Sequence, residues 1–279
     1  MSACRVLVFD ADPSVHELLG KVLKRPGRSI QDVYEQREAL ESLRHTPCDV
    51  VLAGHAANDG LSGFKLLRKL RSLQPEARVI VTGGQDTAEV VRALRERAYS
   101  YFHKPIAGAP LADMVQQALE AQATWRDDLK VIGARPEWVT LDVRCKIEAA
   151  ERATHFIREL MLDLKAAVRE DVATAFRELL INGIEHGGKS DPHKRVRVSL
   201  MRTSRAVIAC VADPGRGFSL DTLPHAAISN PDGSPIQHVE VRLEQGQRPG
   251  GFGILMARNL VDDLVYNERG NTAMLVKYL

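Results

Sequence analysis

Three short aliphatic runs, Arg5–Phe9, Asp49–Ala53 and Arg78–Thr82, constrain the first half of this chain more than any other feature. Each is too short for a helix and rich in β-branched or aliphatic residues, the pattern of strands buried on both faces of a parallel sheet. Between the runs lie amphipathic stretches at helical spacing, with Val15, Leu18, Leu19, Val22 and Leu23 after the first and Phe64, Leu67 and Leu70 after the second. A β-α-β-α series of this kind predicts an α/β domain built on a doubly wound five-stranded parallel sheet. Its functional crevice is expected at the carboxyl ends of the strands.

The pattern changes near residue 123. A helical stretch through Leu111, Val115, Ala118 and Leu119 runs into Trp125, and Gly133-Ala134-Arg135-Pro136 then breaks the periodicity. We place a first domain at 1–123, a linker at 124–136 and a second domain at 137–279. The second half reads as one strand (Trp138–Val143), two long helical patterns (146–164 and 168–186) and two alternating strands (Arg195–Met201 and Ala206–Asp213). A loop, a helix and a closing strand pair follow. Grouped elements of this kind predict an α+β sandwich with helices on one face of a mixed sheet. Residues 219–250 show no periodicity and are expected to form a lid or binding loop.

Composition removes several classes of protein. A chain of 279 residues, 44% hydrophobic and 27% charged, is long enough for two cores and too apolar to be disordered. Its formal charge is +2, with basic and acidic residues interleaved, so no nucleic-acid partner is expected. No run of 18 apolar residues occurs, and the start lacks a basic segment followed by an apolar core; a cytoplasmic protein without a membrane partner is expected. Cys4, Cys48, Cys145 and Cys210 lie apart among apolar neighbours and read as free thiols.

Four landmarks end the predicted strands of the first half: Asp10-Ala11-Asp12-Pro13, Ala53-Gly54-His55, Thr82-Gly83 and Tyr101-Phe102-His103-Lys104-Pro105. Together they resemble the response-regulator receiver domain over roughly residues 4–122. That family carries an acidic pair, an acceptor aspartate, a Thr or Ser and a Lys-Pro at these places. The Thr82 and Lys104 positions match. The acceptor position falls on Gly54, which has no side chain, and the second acid of the pair falls on Ala11. Phosphoryl transfer to a carboxylate needs both a nucleophile and a cation held by hard oxygen ligands. Asp10 alone cannot supply them, and Asp12 and Asp59 are possible substitutes in loop positions where solvent-facing acids are common. The expectation is a pseudo-receiver that docks, dimerises or restrains its neighbour, with Thr82 and Lys104 as remnants.

Three further motifs occupy the second half. Phe176 to Gly187 places Glu178, Asn182 and His186 at helical spacing on an otherwise apolar stretch, a costly arrangement unless a ligand or network satisfies them. Val211-Ala212-Asp213-Pro214-Gly215-Arg216-Gly217 ends a strand with an acid able to accept from an exocyclic amine, followed by glycines that allow close approach. Gly250-Gly251-Phe252-Gly253 opens a helix, where free backbone N–H groups favour phosphate. Each motif alone also fits an ordinary solvated stripe, turn or loop.

In this order, residues 137–279 resemble the histidine-kinase-like ATPase fold, and within it the branch of bacterial anti-sigma-factor serine kinases. The resemblance implies ATP and Mg²⁺ as cofactors, with Asn182 on the metal and His186 beside it in the motif. It implies Asp213 on the adenine amine, Gly215, Gly217, Gly251 and Gly253 around the nucleotide, and Glu178 as general base. It implies a serine/threonine kinase acting on an antagonist-like partner, with a sigma factor as a second partner and a homodimer left open. A non-catalytic, ATP-sensing adaptor is the alternative.

Overall fold

The computed structural model describes residues 4–55, 62–217 and 252–279, which fall into two compact units, Met1–Arg126 and Asp127–Leu279. The first unit alternates strands β1 (Cys4–Phe9), β2 (Arg28–Val33), β3 (Val50–Gly54), β4 (Arg78–Gly83) and β5 (Ser100–His103) with helices. Those helices are α1 (Pro13–Leu23), α2 (Gln36–His45), α3 (Gly63–Leu73), α4 (Thr87–Arg95) and α5 (Gly108–Glu120). Every strand pair is parallel, in the order β2-β1-β3-β4-β5. This is the doubly wound five-stranded sheet that the sequence predicts.

Alternation along the strands explains the layers. Val6, Val8, Leu52 and Ile80 point to one face and pack with Leu19 and Leu23 of α1 and Leu111 and Val115 of α5. Leu7, Phe9, Val51 and Val81 alternate with them and are just as buried, so both faces of the sheet are covered. Asp12 caps α1, accepting from the Ser14 backbone N–H at 2.9 Å and the Ser14 hydroxyl at 2.7 Å. These bonds hold its carboxyl below the usual aspartate range.

The second unit is a six-stranded sheet in the order β10-β11-β9-β8-β7-β6. Its strands are β6 (Leu129–Arg135), β7 (Trp138–Arg144), β8 (Arg195–Arg202), β9 (Ala206–Ala212), β10 (Asp263–Tyr266) and β11 (Thr272–Tyr278). Val139, Leu141, Val198, Leu200, Ala209 and Leu275 turn inward beneath α6 (Ile147–Glu159) and α7 (Ala166–Asn182). A further helix, α8 (Gly253–Leu260), packs beside α7.

Two expectations change. Every pairing in this sheet is antiparallel, not mixed: β9 and β10 run in the same direction, but β11 lies between them and pairs antiparallel with both. The stretch 124–136 is not a linker. Trp125, in a short 3₁₀ turn (Ala123–Asp127), is buried in the first unit's core with its ring centroid 5.2 Å from that of Tyr99. Leu129–Arg135 then forms edge strand β6, paired with β7. The Gly133 to Pro136 break belongs to the β6–β7 hairpin, where turn residues interrupt periodicity just as a linker would. The proposed lid, residues 219–250, lies outside the described residues.

Candidate functional site

In the second unit, α7 brings Glu178 and Asn182 one turn apart and turns both toward the first residue of α8. A Cβ on Gly253 would lie 2.8 Å from Glu178 Oε2 and 3.4 Å from Asn182 Nδ2. A side chain there would have to displace the Glu178 carboxylate. The backbone N–H groups that open α8 are therefore close to an amide and a carboxylate, an arrangement that suits a phosphate and its cation. Glu178 is partly covered, its side chain 21% exposed, and Oε1 accepts from Arg177 Nη1 at 3.3 Å. Arg177 is itself held across the helix pair by Glu151 of α6, at 3.0 Å from Nε to Oε1. That clamp leaves Oε2 as the oxygen facing Gly253.

Asp213 stands just past the end of β9. Its Oδ1 accepts from the Gly215 backbone N–H at 2.7 Å, closing a tight turn, and no described side chain or backbone group donates to Oδ2. The wall behind it is glycine: a Cβ at Gly187 would overlap Oδ1, and one at Gly215 would lie 2.7 Å from it. Burial pushes the Asp213 carboxyl up, while the Gly215 N–H and the Arg269 charge act in the opposite direction. Burial, helped by the Asp213 charge, pushes the nearby Tyr266 phenol up to about 12. Gly217 takes φ +82, and a Cβ there would overlap the Arg269 carbonyl, so the turn after Asp213 is pressed against the β10–β11 hairpin. Asn271 ties the two together: its carbonyl accepts from the Asp213 N–H at 2.9 Å.

His186 is not brought to Glu178 and Asn182 in the way that an unbroken helix would place it. After Asn182 the chain widens into a π-helical turn, Gly183–Gly187, and His186 is exposed on it. The extra residue per turn shifts the face, a change that helical spacing in the sequence cannot show. Gly251 lies outside the described residues. Sequence reasoning misses Gly187, Tyr266 and Asn271 as parts of the Asp213 pocket. Gly187 is detectable as the first of a Gly-Gly pair ending the helical motif, whereas the other two carry no local signal.

In the first unit the strand ends converge as the sequence indicates. Asp10 is 2% exposed, and its carboxylate accepts from Lys104 Nζ at 2.6 Å and 2.9 Å, from the Asp12 N–H at 3.0 Å and from the Thr82 hydroxyl at 3.5 Å. A Cβ on Gly54 would overlap Asp10 Oδ2. The Asp10 carboxylate thus fills the space where a side chain at position 54 would stand. Asp12 is occupied as a helix cap, and Asp59 lies outside the described residues.

The chain matches the response regulator receiver domain over residues 6–116 and the histidine kinase-like ATPase domain over residues 143–277. It is a receiver domain fused to a histidine-kinase-like ATPase domain. Among curated proteins it is similar to the hydrogenase transcriptional regulatory protein HoxA of Cupriavidus necator, 27% identical over 233 residues that cover 79% of this chain and 48% of that protein. The DNA-binding response regulator MtrA of Mycolicibacterium smegmatis is 32% identical over 115 residues, 41% of this chain and 50% of the relative. The chain spans half or less of the length of these relatives. A CheY-like receiver structure from Methanospirillum hungatei covers 43% of this chain and 95% of its own, with 23% identity and a TM-score of 0.39. No helix among the described residues is long and apolar enough to cross a membrane.

Proposed function

We propose that the chain is an ATP- and Mg²⁺-dependent serine/threonine kinase of the anti-sigma-factor type, acting on an antagonist-like partner, with a receiver that takes no phosphate. The observation that carries the reading is Glu178: its Oε2 faces the glycine that opens α8 and is one helical turn from Asn182. A base must lie within hydrogen-bond reach of the proton that it abstracts, and this oxygen lies beside the place where phosphates would sit. ATP supplies the transferable phosphoryl group and Mg²⁺ screens its charge. Asp213 Oδ2 would accept from the adenine amine, Gly215 and Gly217 would let the base approach, and the α8 N–H groups would hold phosphate oxygens. Among the described residues no group of three His, Cys, Asp or Glu side chains forms a metal site. A cation at Asn182 would therefore take most of its oxygen ligands from phosphates and water.

In this reading Glu178 takes the serine proton as the hydroxyl oxygen attacks the γ-phosphorus, and ADP departs. The test is incubation of the full chain with radiolabelled ATP, Mg²⁺ and a candidate antagonist-like protein. Label on a serine or threonine of that partner is expected. ATP-dependent capture of the partner without label would instead support a nucleotide-sensing adaptor, a reading favoured by the missing acceptor in the receiver.

The receiver reading has its own test. With Gly54 at the acceptor place, Ala11 at a metal-ligand place and Asp12 committed to capping α1, incubation with acetyl phosphate and Mg²⁺ should leave the intact mass unchanged. A phosphoryl adduct on Asp10, Asp12 or Asp59 would overturn it.

A further inference from the structure

Helices α2 and α3 pack against each other on the receiver unit and enclose a groove of about 670 Å³. Its walls carry Arg37 and Arg44 from α2 and Lys65 and Lys69 from α3, all exposed, with half-buried Leu40 between them. Glu41 is the one carboxylate in the lining. None of the four cations makes an ion pair or a side-chain hydrogen bond among the described residues. Other cations close to α3 do pair: Arg68, also on α3, reaches Glu96 at 3.6 Å, and Arg92 of α4 reaches the same Glu96 at 2.9 Å. The groove therefore concentrates unmatched positive charge around half-buried Leu40, with Glu41 as the one opposing charge in its lining.

Spacing narrows the choice of partner. Lys65 and Lys69 are one helical turn apart, about 6 Å along α3, and Arg37 and Arg44 are two turns apart, about 10.5 Å along α2. Both helices follow strands of one parallel sheet, so the two rows run in the same direction. A third helix laid between them can meet Lys65 and Lys69 with acids at i and i+4, meet the arginines with acids at i and i+7, and set an apolar residue on Leu40. A nucleic-acid strand fits less well. Its continuous phosphates would pass Glu41, four residues after Arg37 and three before Arg44, and would leave Leu40 without an apolar contact.

We propose that the α2–α3 groove docks an acidic amphipathic helix of a partner protein. The surface depends on neither the ATP site nor the acceptor position, so it does not rest on the kinase reading.

Fluorescence anisotropy on the full chain tests this. The probe is a labelled helical peptide of about 20 residues with glutamates at the stated spacings and leucine between them. A scrambled peptide of the same composition and a labelled DNA duplex are the comparators. The spaced peptide is expected to bind about tenfold more tightly than the scrambled one, and its binding should weaken as salt is raised. An exposed ion pair contributes up to about fivefold, so Lys65→Glu with Lys69→Glu, or Arg37→Glu with Arg44→Glu, should each weaken binding about tenfold or more. All four side chains are exposed, and an unchanged melting temperature would show that the variants fold. Equal binding of spaced and scrambled peptides, or wild-type affinity in both charge-reversed variants, would overturn the proposal. So would tighter binding of the duplex that the same reversals abolish, which would make the groove a nucleic-acid surface.

Discussion

Glu178→Gln should lower phosphoryl transfer from ATP to the partner by about 10²–10⁴-fold while leaving nucleotide affinity nearly unchanged. The substitution keeps the side-chain volume and a carbonyl oxygen that can still accept from Arg177, which now reaches Oε1 at 3.3 Å. It also keeps the fit beside Gly253, where a Cβ would lie only 2.8 Å from Oε2. What it removes is the capacity to accept a proton on the oxygen facing that glycine. The assay is radiolabelled transfer, run beside calorimetric titration with a nonhydrolysable ATP analogue. A large fall in rate at constant affinity identifies a group acting in the transition state. An undiminished rate would place the base elsewhere. A matched loss of affinity would show that Glu178 holds the nucleotide or its cation instead.

The sequence carries the two folds and most of this site because both depend on local signals. Buried parallel strands show as unbroken aliphatic runs, and the strand ends that meet around Asp10 are each marked by an acid, a glycine, a threonine or a Lys-Pro. Glu178 and Asn182 are legible through helical spacing, and Asp213 through its place at a strand end. Where the reading fails, the deciding interaction is tertiary. Edge strand β6 has only one neighbouring strand, and its aliphatic residues Leu129, Val131 and Ile132 are split by Lys130 and cut short at Gly133, where the register shifts. Trp125 joins a core that reaches back as far in sequence as Val6, Val8 and Leu52. The π turn that displaces His186 is one extra residue in an otherwise helical pattern. The placement of Asp10 in the space beside Gly54 follows from an absent side chain and cannot be read from the residues that remain.

Asp213→Asn should weaken ATP binding by about 10–150-fold, the loss expected when a hydrogen bond to a charged acceptor, worth roughly 1.5–3 kcal/mol, is removed. Asparagine is a sharper test than alanine. Its carbonyl oxygen can keep the 2.7 Å bond from the Gly215 N–H, so the turn is preserved, while its NH₂ replaces Oδ2 and sets a donor against the adenine amine. The pH dependence supplies an independent reading. Burial raises the Asp213 carboxyl above its ordinary value of 3.8, so it protonates at a pH where an exposed aspartate is still charged. Wild-type affinity should therefore fall as pH is lowered through that raised range, whereas the affinity of the Asp213→Asn variant should stay flat there. Tyr266, pushed up to about 12, stays neutral throughout and does not contribute. Folding carries the opposite sign. A raised carboxyl binds its proton more tightly in the folded state than in the unfolded one, so its contribution to stability is present below the ordinary value and lost as pH rises through the raised one. Nucleotide affinity that grows with pH while the Asp213 contribution to stability declines would show one half-buried carboxylate acting as the adenine acceptor. Parallel pH profiles for wild type and variant, or equal affinities by calorimetry, would remove Asp213 from that role.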